Sequence, residues 1–97
     1  MRMLVVVTEP EAVREIERGL LAGGHAGFTV MPNAWGSGRT GIHAGDRVHP
    51  GGTSVLFAVV PDEAAEGAVT AIRQARDGAH AREVTRIFSV PAEEVSG

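Results

Sequence analysis

The chain has no cysteine, no tyrosine, one tryptophan and three phenylalanines among its 97 residues. Without cysteine there is neither a disulfide framework nor a thiolate metal site, a usage that suits a reducing cytoplasm. With so few aromatic anchors the packing rests on Val, Leu, Ile and Ala, and a chain of this length buries only about 60 to 65% of its unfolded surface. Association with further copies is the natural way to bury more. Long apolar runs are missing too. Nothing approaches the ~20 residues of a membrane span, and the apolar stretch near the start is too short for a signal peptide. The sequence therefore reads as a soluble, cytoplasmic protein of one domain with no membrane insertion. Nor is there an excess of positive charge. A net charge of -3, with 12 acidic and 9 basic residues interspersed, argues against a polyanion-binding surface and so against nucleic acid. Finally, nothing converges on hydrolytic or transfer chemistry: no nucleophilic cysteine, no G-x-S-x-G elbow, no paired carboxylates near a histidine. The chain does not read as an enzyme.

What is present is organised around residues 27–52, GFTVMPNAWGSGRTGIHAGDRVHPGG. This stretch opens as a strand and then abandons regular structure. It is rich in glycine and holds Trp35, two of the four histidines, Arg39 and Arg47, ligand-facing residue types on a pliable backbone.

The flanks read as ordinary strand and helix. Residues 3–8 form a short β-branched run that suits a strand buried on both faces. Thr8-Glu9-Pro10-Glu11 has the form of a capping box and predicts a helix over 9–22, with Val13, Ile16 and Leu20 inward and Gly23-Gly24 as its left-handed stop. Residues 28–31 predict a second strand, which Pro32-Asn33 weakens or ends. Residues 53–60 predict a third, closed by Pro61 and by Asp62 as cap of a second helix. That helix carries a narrow stripe of Ala65, Ala68, Val69, Ile72 and Ala75 and stops at Asp77-Gly78. A fourth strand follows over 85–90, then a short tail with room for one helical turn.

The order βαββαβ predicts an α+β, ferredoxin-like sandwich: a four-stranded antiparallel sheet with both helices on one face. The first and third strands are apolar at nearly every position, so the other face needs cover. A neighbouring subunit is the simplest source.

At this point the chain resembles the PII signal-transduction superfamily, as a divergent PII-like member, along nearly its whole length. The resemblance is carried by Gly27-Phe28-Thr29-Val30 with Gly36-Ser37-Gly38-Arg39, by Val59-Val60-Pro61-Asp62-Glu63, and by Arg86-Ile87-Phe88. It implies a single PII-like domain over 1–97 and a homotrimer with ligand sites in the clefts between subunits. Residues 40–52 would be a shortened form of the family's mobile loop. It further implies a regulatory or sensor protein that binds a small anionic metabolite, with an adenine nucleotide as first choice. Signalling would pass through that loop to a transporter or enzyme. The ligand-binding residues it implies are Gly27, Thr29, Gly36, Ser37, Gly38, Arg39, Thr40, Gly78, His80, Arg82 and Arg86.

The chain also departs from the family. Thr40 stands where members that bind 2-oxoglutarate with Mg-ATP have glutamine, which argues against that metal-linked site. The loop has no tyrosine for nucleotidylation. The second ligand loop keeps one glycine but loses its lysines, leaving Arg82 or Arg86 to substitute. The arginines beyond the fourth strand are replaced by Glu93-Glu94-Val95-Ser96-Gly97.

Other motifs carry chemistry of their own. Gly36 to Gly41 matches G-x-G-x-x-G with Asp62 downstream, but the dinucleotide fingerprint needs a helix at the third glycine, and 42–52 has no helical period. Its backbone N–H groups and the Arg39 fork can still form a nest for phosphate or carboxylate. His43, Asp46 and His49 are spaced three apart, and such ligands bind Zn, Ni or Cu. They are the basis of an alternative reading, a CutA-like metal-binding or metal-tolerance protein. Against it stand the ordering entropy of the loop and the lack of a supporting shell. Trp35 is expected to pin the loop to its own sheet. His25 is expected to be a surface or cleft residue.

Overall fold

Alternation along the strands decides which residues meet the helices. The computed structural model describes residues 1–34, 37–38, 41–42 and 52–96, the two short middle segments as backbone. Its elements are β1 (Arg2–Thr8), α1 (Pro10–Ala22), β2 (Phe28–Ala34), β3 (Ser37–Gly38), β4 (Gly41–Ile42), β5 (Thr53–Val60), α2 (Asp62–Gly78), a 3-10 turn (Arg82–Val84) and β6 (Arg86–Pro91). Four strands form one sheet in the order β2-β5-β1-β6, every neighbouring pair antiparallel. With the two helices this is the ferredoxin-like arrangement that the element order predicts. The short β3 and β4 pair with each other, Ser37 opposite Ile42 and Gly38 opposite Gly41, a pairing that the sequence reading missed.

One face of the sheet carries the core. Leu4 and Val6 of β1 with Leu56, Ala58 and Val60 of β5 pack against Val13, Ile16 and Leu20 of α1 and Ala68 and Ile72 of α2. The helices also lean on each other. A Cβ on Gly19 would stand 3.3 Å from both the Ala71 carbonyl oxygen and the Ala75 Cβ, so the small residues of the α2 stripe let the two backbones approach.

The opposite face of the same strands carries Met3, Val5 and Val7 of β1 and Val55, Phe57 and Val59 of β5. In register beside them lie Met31 on β2 and Phe88 and Val90 on β6. Met31 and Val59 are 47% exposed and Phe88 54%. Taking the remaining half of such a side chain out of water is worth about 0.7 to 1.5 kcal/mol.

Several local expectations are corrected. Thr8 does not cap α1: Glu9 is the N-cap residue and no side chain caps the helix, because the Thr8 hydroxyl is spent elsewhere. Asp62 does not cap α2 either. Pro61 holds the N-cap position, and Asp62 instead forms an ion pair of 3.0 Å with the Met1 amine. β2 runs past Pro32 to Ala34 through an irregularity between Met31 and Ala34, with Asn33 left-handed at φ 60. An edge strand tolerates a proline that an inner one would not. β6 likewise includes Pro91 and is an edge. The tail 92–96 adds no helical turn; its Ala92 N–H donates to the Met1 carbonyl at 3.0 Å.

The ends of both helices share one geometry. At α1, Gly24 N–H donates to Leu21 and His25 N–H to Leu20, with Gly24 left-handed at φ 84. At α2, His80 N–H donates to Asp77 and Ala81 N–H to Arg76, with His80 left-handed at φ 54. Each is a Schellman motif, the glycine position of the first being taken by histidine in the second. Gly78, expected to stop α2, is its last helical residue.

Candidate functional site

The antiparallel order gathers one set of ends. The close of β1 and β2, the start of β5 and β6, the first turn of α1 and the last turn of α2 all lie at the same end of the sandwich. The glycine-rich segment leaves from this end at Ala34 and returns at Gly52, whose φ of 71 favours a glycine there. Here too lie, among the described residues, all the buried polar side chains: Thr8, Ser54 and Thr85. The rest of that core is aliphatic.

Two of the three form a hydrogen-bonded chain. Thr85 Oγ1 donates to the Ala81 carbonyl at 2.6 Å, and the Thr8 and Thr85 hydroxyl oxygens are 2.8 Å apart. A hydroxyl has one proton to give, and that of Thr85 is committed to Ala81, so Thr8 is the donor to Thr85. The end of β1 thereby holds the turn 79–85 that links α2 to β6.

That turn presents His80, Arg82 and Arg86, all exposed. Arg86 Nη1 donates to the Glu83 carbonyl at 3.1 Å and to the Thr85 carbonyl at 3.2 Å, which fixes the guanidinium against its own turn. Among the described residues the ion pairs are Met1 with Asp62, Arg18 with Glu15 and Arg76 with Asp77, so the charges of Arg82 and Arg86 are not neutralised there. The chain contains no lysine at all, so arginine supplies every cationic side chain other than histidine. A guanidinium offers a planar fork that matches phosphate and carboxylate oxygens two at a time.

The other candidate residues separate into groups. Ser37 and Gly38 lie in β3, close beyond the end of β2, while Gly78, His80, Arg82 and Arg86 surround the start of β6. β2 and β6 are opposite edges of the sheet, with β5 and β1 between them, a separation of about 14 Å at normal strand spacing. Gly27 and Thr29 lie at the far end of β2 from Ala34, and Thr29 sits on the open face beside Phe57. Within one copy, the described candidates therefore fall into groups set apart by the width of the sheet. Neither Gly27 nor Gly78 has a left-handed φ, and a Cβ on either would meet no atom within 4 Å. Trp35, Gly36, Arg39, Thr40, His43, Asp46 and His49 lie outside the described residues.

His25 is half-buried, its ring 3.1 Å from where a Cβ on Gly23 would stand. It belongs to the opposite end of the sandwich from the turn 79–85. The Thr8 and Thr85 pair is what the sequence reading missed. Its one signal is a threonine closing a run of Leu and Val in a strand whose neighbours face the core.

The model of one protein family, described as nitrogen regulatory protein P-II, matches residues 1–97. No curated protein matches the chain.

Proposed function

The chain belongs to the nitrogen regulatory protein P-II family, a family of regulatory proteins, and on that premise we propose that it acts as a sensor of a small anionic metabolite. Three copies close on one another through the open face of the sheet. The ligand, with an adenine nucleotide as first choice, sits in the cleft between subunits. There the segment around Gly36, Ser37, Gly38, Arg39 and Thr40 of one copy meets Gly78, His80, Arg82 and Arg86 of the next. Ligand binding orders the 40–52 segment and changes its affinity for a target protein, a transporter or an enzyme. Such signalling requires that the ligand interact differently with two states of the segment.

The observation that carries this reading is the separation of the candidate residues to opposite edges of a sheet whose open face is apolar. A second copy on that face removes apolar surface from water and supplies, across the boundary, the residues that one copy lacks. Association costs about 4 to 15 kcal/mol in lost freedom. Several half-exposed Val, Met and Phe side chains at about 0.7 to 1.5 kcal/mol each, contributed by every copy, sum to the lower part of that range. No helix among the described residues is long and apolar enough to cross a membrane, so a membrane transporter would be met as a partner.

The test is a thermal-shift and calorimetric panel of AMP, ADP, ATP, cyclic AMP and bicarbonate, with zinc alone as a further arm. A ligand held at ~100 times its Kd adds roughly 2.7 kcal/mol of stability per site. Saturable stabilisation by a nucleotide supports the reading. Stabilisation by zinc alone, lost when His43 and His49 are both replaced by alanine, would transfer the function to the metal-binding alternative.

A further inference from the structure

Among the described residues, Thr8 with Thr85 is the one hydrogen bond between two buried side chains. Thr8 is 2% exposed and Thr85 4%, and the positions are 77 residues apart in the chain. Valine has the same shape as threonine and is the residue of Val5, Val6 and Val7 just before Thr8. A hydroxyl at this depth costs free energy unless it is hydrogen-bonded, and the pair as a whole brings at most a modest net gain in folding. What the hydroxyls add is direction. They run as a single chain of donors from the end of β1, through the start of β6, to the Ala81 carbonyl in the turn. The same turn sets Arg86, whose guanidinium is bonded to the Glu83 and Thr85 carbonyls.

We propose that Thr8 and Thr85 are positioning residues: their buried hydroxyl chain holds the turn 79–86 in the one conformation that presents His80, Arg82 and Arg86 to an anion. The part of this concerned with an anion rests on the sensor reading above; the part concerned with the turn does not. The two roles are unequal. Thr8 only donates, so Thr8→Val removes one bond and leaves Thr85 still bonded to Ala81. Thr85→Val removes both bonds and strands the Thr8 proton in the core. The Ala81 carbonyl is still met, by the Val84 N–H at 3.2 Å. The double variant therefore behaves no worse than Thr85→Val alone, because the stranded donor is gone as well.

The experiment compares the parent with Thr8→Val, Thr8→Ser, Thr85→Val and the double variant. It measures amide hydrogen exchange along the whole chain, and calorimetry with ADP and, separately, with inorganic phosphate. In Thr8→Val the amides of 81–85 are expected to exchange about tenfold faster, while those at the centre of β5 change by less than about threefold. The Kd for ADP is expected to rise about fivefold or more, and Thr8→Ser, which keeps the hydroxyl, to restore both readings. Acceleration spread evenly over the chain, or none in the turn, would reduce the pair to an ordinary core contact and overturn the proposal. If the parent binds neither ADP nor phosphate, the part of the proposal concerned with an anion fails, and the exchange data alone still decide whether the pair positions the turn. Should Thr85→Val fail to fold, Thr8→Val carries the comparison by itself.

Discussion

The two faces of the sheet are made by the same strands and end in different states. On one face Leu4, Val6, Leu56 and Ala58 alternate inward and are buried under the helices. On the other, Met31, Val59 and Phe88 stand about half-exposed, although the intervening residues are just as apolar. The helices of one chain can cover one side of a sheet only. The difference teaches that strands reading as near-continuous apolar runs state a need for two covers, of which a chain of this length supplies one.

Substitutions at adjacent positions should separate the faces. The largest effect on folding is expected on the closed side. Leu56→Ala should cost about 2 to 5 kcal/mol, since it empties a fully buried site next to α1 and α2. Denaturant melts check this. If the loss stayed below about 1 kcal/mol, Leu56 would not be a core residue in the sense argued.

Next come the arginines that the sensor reading places in the cleft. Arg86→Ala and Arg39→Ala should each weaken ADP binding by about 1.5 to 3 kcal/mol, roughly ten- to more than a hundredfold. Arg86 is exposed, so unliganded stability should stay within about 0.5 kcal/mol of the parent. Calorimetry alongside melts reads both. Unchanged affinity in both variants would send the search for the site elsewhere.

The smallest effect concerns the end of α2. His80→Gly should stabilise the unliganded protein by up to about 1 kcal/mol, because a left-handed residue is strained with a side chain and relaxed without one. A weaker ADP affinity in the same variant would show that the imidazole is kept there at the expense of stability. A stability loss would mean that the His80 ring holds the turn by contacts of its own.

Much of the fold was legible. Residues 53–60 read as a strand and are one, and Val13, Ile16 and Leu20 read as the inner face of α1 and are buried. What periodicity could not tell was how the ends of the elements are finished. Thr8 reads as a cap because a hydroxyl before a helix usually meets the backbone; here a second hydroxyl, distant in sequence, outcompetes it. Gly78 reads as a stop because glycine favours the left-handed turn, yet Gly78 is itself helical and His80, two positions on, takes that conformation. β2 outlasts Pro32 because, among the described residues, it is an edge strand with no further strand to require the missing N–H.

The candidate site was legible only as separate pieces. Sequence could mark Arg82 and Arg86 as cations on one turn, but their distance from the glycine-rich segment depends on strand order. The topology puts the start of β6 and the end of β2 at opposite edges of the sheet, so the sensor reading draws the two groups from different copies. Within the segment, Gly36, Arg39, Thr40 and the histidines at 43 and 49 lie outside the described residues. Its role stands on the resemblance and on the nest-forming chemistry of its residues.

Assembly through the open face is the claim on which the shared site depends, and light scattering of the purified chain at micromolar concentration tests it most directly. The parent should have about three times the 10.1 kDa mass of one chain. Phe57→Glu, which places a charge at the middle of the apolar face, should fall to the mass of one chain while keeping its helical and strand content by circular dichroism. A parent that runs at 10.1 kDa would contradict the account, since a site between copies would then not exist.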